Sequence, residues 1–124
     1  MRVDIKVSTI TAGAAVARTA EHRASLEFGR FGERVANVSV RIVERPAARG
    51  GRFHCGVAVR VIDDRGNGSL VLAHGEDDDL NRAVQVAVTR AGERTGGEIT
   101  RIDEARRTRR KWAASSAAAQ EIGT

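Results

Sequence analysis

The side chains best suited to chemistry in this chain are its arginines. Arg18, Arg23 and Arg30 fall in one stretch of helical periodicity, and Arg82, Arg90 and Arg94 fall in a second. Arg106, Arg107, Arg109, Arg110 and Lys111 make the densest basic run. A guanidinium is planar and donates two parallel hydrogen bonds, a match for phosphate oxygens. If the two helices lie side by side, several of these groups converge near a common edge and face a polyanion. Base stacking is poorly supplied: the aromatics are Phe28, Phe31, Phe53 and Trp112, and the phenylalanines suit a core. The chemistry to expect is recognition of backbone and shape, as in folded RNA.

Catalytic constellations are sparse. His22 falls on a polar helix face, His54 on an outward strand position and His74 at a strand end, with no nucleophile motif near them. A metal site of His54, Cys55 and His74 fails because adjacent strand residues point to opposite faces. Cys55 shares its face with Phe53 and Val57 and reads as a small buried hydrophobe. The run Glu76-Asp77-Asp78-Asp79 lacks a calcium-hand loop and suits the start of a helix. Gly66-Asn67-Gly68 is not followed by the Gly-Lys-Ser/Thr of a phosphate loop. Neither an enzyme nor a bound cofactor is expected.

Composition agrees with a binding role. The 124 residues suit one domain, and 41% hydrophobic with 30% charged residues suit a globular one. The 21 Lys and Arg outnumber the 16 Asp and Glu, for a net charge of +5 and a pI near 10.9. Residues 101–124 hold six basic and three acidic groups, so that last fifth supplies +3 of the +5. The single cysteine excludes an intramolecular disulfide and a multi-cysteine zinc site. No apolar run reaches the length of a membrane helix, so no membrane partner is expected. Residues 8–17 are small and apolar, but Asp4 breaks a signal-peptide charge pattern, and a cytoplasmic protein is the expectation.

The elements that must position these groups follow from periodicity. Val3, Ile5 and Val7 alternate with Arg2, Asp4 and Lys6, the pattern of a half-buried strand. From about Ala12 to Phe31 the period lengthens: Val16, Ala20, Ala24, Phe28 and Phe31 form a helical stripe capped by Thr11, with Leu26 off it. Alternation returns at Val38, Val40 and Ile42, and, after a loop over Pro46–Gly51, at Phe53, Cys55, Val57, Val59 and Val61. The turn formers Asp63–Gly68 lead into a fourth strand over Ser69–His74. Leu80, Val84, Ala87, Val88 and Ala91 then mark a second helix, which Gly96-Gly97 is expected to end or bend, with a polar helical stretch from Glu98 towards Lys111. The expected fold is α+β, ordered β-α-β-β-β-α, with two helices on one face of a four-stranded sheet as in double-stranded RNA-binding domains. Residues 1–98 form the folded unit and 99–124 a basic, Ala-rich extension. An unpaired strand edge can recruit another chain, so a homodimer through a sheet edge is the competing reading.

Over residues 2–94 the chain resembles the ribosome hibernation-promoting factors, also called ribosome-associated inhibitor A or sigma modulation proteins, in their short form. The resemblance rests on Val3-Asp4-Ile5-Lys6-Val7, a first helix ending in Arg30-Phe31, the strand Val38-Ser39-Val40-Arg41-Ile42, and the helix opening Asp79-Leu80-Asn81-Arg82-Ala83-Val84. It implies a stress-response protein that docks on ribosomal RNA in the tRNA and mRNA channel of the small subunit, blocks decoding and preserves idle ribosomes. It also implies RNA contacts from both helices, with Arg23 and Arg90 at positions where lysine is common. The chain departs from the pattern at Gln85 and Thr89 and at Thr95-Gly96-Gly97-Glu98, where a Lys-rich helix end is usual; the run Arg106 to Lys111 is the candidate to compensate.

Overall fold

The short-period segments build β1 (Arg2–Ser8), β2 (Val35–Glu44), β3 (Phe53–Ile62) and β4 (Gly68–Asp77). The longer-period segments build α1 (Ala14–Gly29) and α2 (Leu80–Ile122). The computed structural model describes residues 1–8, 14–45 and 51–122, with side chains as far as Ser115. The cap assigned to Thr11 and the loop stretch 46–50 lie outside the described residues. The order is the β-α-β-β-β-α expected, in a mixed sheet with strand order β1-β2-β3-β4. β1 runs parallel to β2 through the α1 crossover, and β2, β3 and β4 form the antiparallel meander.

Register explains which residues are inside. Ile5 stands opposite Val40, Val40 opposite Val57, and Val57 opposite Ala73, so one row of aliphatic side chains crosses the sheet. Both helices cover this face. Ala20, Ala24 and Phe28 of α1 and Ala83, Val84, Ala87, Val88 and Ala91 of α2 complete the core. The opposite face stays open, and Leu70 and Leu72 of the edge strand β4 are exposed there.

The second helix departs from expectation. Its start is capped by Asp79, whose Oδ1 accepts the N–H of Asn81 at 2.9 Å and of Arg82 at 3.3 Å. Glu76 and Asp77, read as part of that helix opening, belong to β4 instead. The predicted break at Gly96-Gly97 does not occur: α2 is one helix of 43 residues that crosses the 98/99 boundary, and the polar stretch after Glu98 is part of it. A helical glycine costs only about 1 kcal/mol. Burial of Ala91, followed by Ile99 and Ile102 against the core, outweighs that cost. Gly92 also admits Glu27 of α1 so closely that a Cβ there would collide with the carboxylate.

Beyond Ile102 the helix is tied down by Arg34, from a 3-10 turn (Gly32–Arg34), whose guanidinium donates to both Asp103 oxygens at 2.9 and 3.4 Å. Those hydrogen bonds hold the Asp103 carboxyl below its ordinary range. The contact is therefore present at neutral pH and is lost only as pH falls through that lowered value.

β4 and α2 approach each other closely at Gly75. A Cβ at Gly75 would stand 2.8 Å from both Ala83 O and Ala87 N, backbone atoms that no rotamer change can move. Gly75→Val is expected to destabilise the protein by about 3 kcal/mol, read as a lower urea midpoint.

Candidate nucleic-acid interface

The structure sorts the basic residues into separate groups. Arg90 and Arg94 lie one turn apart on α2 and reach over the free edge of β4. Arg90 donates to His74 O at 3.0 Å, and Arg94 donates to Leu72 O. Both remain exposed, and because their acceptors are neutral carbonyls the two guanidinium charges are not cancelled. The helix thus places two oriented cations along a sheet edge and occupies backbone acceptors that edge pairing would need.

The first-helix arginines do not join them. Arg30 donates to Glu27 Oε1 at 2.8 Å and stacks over Phe31 with 4.5 Å to the ring centre. Glu27 abuts Gly92, which at 100° per residue faces away from Arg90 and Arg94. Arg23, one turn before Glu27 on the same face, buries its Nε without a hydrogen-bond partner among the described residues. Arg18 is exposed on the outer face of α1. The expected convergence of both helices at one edge is therefore replaced by two flanks, with the width of α2 between them.

The others occupy further places. Arg82 reaches Asp77 at 3.7 Å beside the start of α2, so part of its charge is met by a carboxylate. Arg106 pairs with Asp64 at 3.4 Å across the turn joining β3 to β4. Arg107, Arg109, Arg110 and Lys111 are exposed on the final part of α2. Lys6 and Arg41 on the open sheet face, beside a depression of about 350 Å³ floored by Ser39, Gly56 and Ala58, were not foreseen, and neither was Arg65. The signal for Lys6 and Arg41 was present in the alternation, which puts them outward at matching register positions.

The three histidines stand apart from any nucleophile pairing among the described residues. His54 and His74 flank Glu76 at 3.5 and 3.3 Å on the open face, and His22 is exposed on α1. Among the described residues no three His, Cys, Asp or Glu side chains are grouped to hold a metal ion, and no helix is long and apolar enough to cross a membrane. Cys55 lies on the helix-covered face, where burial pushes its thiol up to about 12. A thiol reagent at pH 8 is expected to leave Cys55 unmodified in the native protein and to react fully after denaturation.

No family model and no curated sequence matches the chain. Solved structures do. A ribosomal subunit interface protein from Coxiella burnetii superposes with a TM-score of 0.52 at 12% identity, covering 81% of this chain and 99% of that one. The N-terminal domain of Thermus thermophilus Protein Y superposes with a TM-score of 0.51 at 20% identity, covering 77% of this chain and 96% of that domain. The fold is shared. At the level of fold, the likeness to Protein Y and the subunit interface protein agrees with the resemblance carried by Val3–Val7 and Asp79–Val84. The shared fold accounts for about four-fifths of the chain.

Proposed function

We propose that this chain is a non-enzymatic ribosome-associated factor that binds ribosomal RNA in the tRNA and mRNA channel of the small subunit. Occupying that channel blocks decoding and preserves idle ribosomes under stress. The observation that carries the reading is the pair Arg90 and Arg94, held as uncancelled charges on the β4 edge, on a fold shared with a protein named for the ribosomal subunit interface. Each guanidinium spends one donor on a carbonyl, which fixes its position, and keeps other N–H groups for phosphate oxygens. Recognition of this kind reads backbone and groove shape rather than base sequence. Pairing of two copies through a sheet edge would have to use β1, since β4 carbonyls at Leu72 and His74 are already engaged.

A sucrose gradient of ribosomes at low salt, with the protein detected in each fraction, tests the proposal. The protein is expected in the small-subunit and monosome fractions. Its affinity should fall with added salt by about 0.7–0.9 log units per log unit of salt for each phosphate neutralised. Absence from every ribosomal fraction even at low salt would refute the reading.

A further inference from the structure

The turn between β3 and β4 is closed by hydrogen bonds on all sides. Asp63 N–H donates to Asn67 O at 2.8 Å, and Gly66 N–H donates to Asp63 O at 3.1 Å. The Asp63 carboxylate accepts the N–H groups of both Arg65 and Asn67 at 2.9 Å. Gly66 takes the left-handed conformation (φ +80°) that the turn requires. Arg65 is thus carried on a fixed backbone at the tip of a hairpin.

The last part of α2 passes this tip. Arg106, Arg109, Arg110 and Ala113 recur at three- and four-residue spacing and so share one helix face. Turn and helix enclose a cleft of about 370 Å³ lined by Asp64, Arg65, Arg106, Arg109, Arg110 and Ala113. Arg106 donates to Asp64 at 3.4 Å, which fastens helix to turn. Four guanidinium groups against one carboxylate leave three positive charges facing a common space. Of the other acids nearby, Asp103 is paired with Arg34, and Asp63, which accepts neutral backbone N–H groups and keeps its charge, is not part of the cleft lining. Like charges at helical spacing repel one another unless an anion sits between them.

We propose that this cleft is a second phosphate-binding site, separate from the Arg90–Arg94 flank, and that it takes the sugar–phosphate backbone of an RNA strand. The proposal rests on the ribosome reading only for which RNA supplies that strand. Sixteen residues separate Arg94 from Arg110, about 24 Å along the helix, farther than one phosphate can bridge. A continuous strand or a folded RNA surface reaches both.

The test uses the full-length chain, a labelled oligouridylate and no ribosomes, read by fluorescence anisotropy at low salt. Arg65→Ala/Arg109→Ala/Arg110→Ala leaves the Arg106–Asp64 pair in place. It is expected to weaken binding roughly 10- to 50-fold and to flatten the slope of log affinity against log salt by about 2. A triple lysine variant at the same positions, with charge restored, should recover most of the affinity. Unchanged affinity and slope in the alanine variant, or no oligouridylate binding by the native chain, would overturn the cleft and leave the ribosome gradients to decide the other reading. Displacement of the oligonucleotide by inorganic phosphate, well beyond that by chloride at matched ionic strength, would make this a small-anion pocket and equally overturn the strand proposal.

Discussion

Arg90→Glu/Arg94→Glu is expected to leave the ribosomal fractions of a gradient and collect at the top while keeping its native circular dichroism. Two reversed charges replace two attractions to phosphate with two repulsions, a loss on the order of 10²-fold in affinity with a salt slope flatter by about 1.5. The fold should tolerate the change because both side chains are exposed. The carbonyls of Leu72 and His74 lie on a sheet edge open to water, so losing these donors costs about 1 kcal/mol each at most. Arg90→Lys/Arg94→Lys keeps the charge and should retain most of the ribosome-bound pool. If the double glutamate variant co-sediments as well as the native chain, the β4 edge is not the contact surface.

Phe28→Ala tests the other half of the account, the packing that puts both helices on one sheet face. Phe28 is fully buried, is the largest such side chain in the core, and lies 6.4 Å, ring centre to ring centre, from Phe31. Removing a buried phenylalanine costs about 3–5 kcal/mol through lost transfer energy and the cavity left behind. A domain of this size has roughly 5–15 kcal/mol in total, so the variant should melt many degrees lower and sit near the threshold of folding. A shift of only a degree or two in the melting temperature would show that α1 is not anchored through this ring.

Most of the fold is legible in local periodicity because burial here follows period two in the strands and 3.6 in the helices. Val38, Val40, Ile42 and the alternating Phe53–Val61 set are buried as their spacing requires, and so are Ala20, Ala24 and Phe28. The continuous apolar run Leu70-Val71-Leu72-Ala73 has no readable phase. Its register, Val71 opposite Val59 and Ala73 opposite Val57, decides it. Gly96-Gly97 misleads for the opposite reason: a local propensity is overridden by packing that depends on residues distant in sequence, among them Phe31 beside Gly96. The candidate site is less legible than the fold. Spacing along one helix shows that Arg106, Arg109 and Arg110 share a side, yet nothing local reveals that Arg65 stands across from them. Nor does it reveal that Arg23 and Arg30 face the opposite flank of α2 from Arg90 and Arg94.

The length of α2 has a hydrodynamic consequence. At 1.5 Å per residue its 43 residues span about 65 Å, against roughly 33 Å for a ten-residue strand, so the helix is about twice as long as the strands it packs on. Such a rod on a small body raises the frictional ratio, and the monomer will elute early from a sizing column, mimicking a larger species. Stoichiometry should therefore be taken from sedimentation equilibrium or light scattering, which weigh the particle whatever its outline.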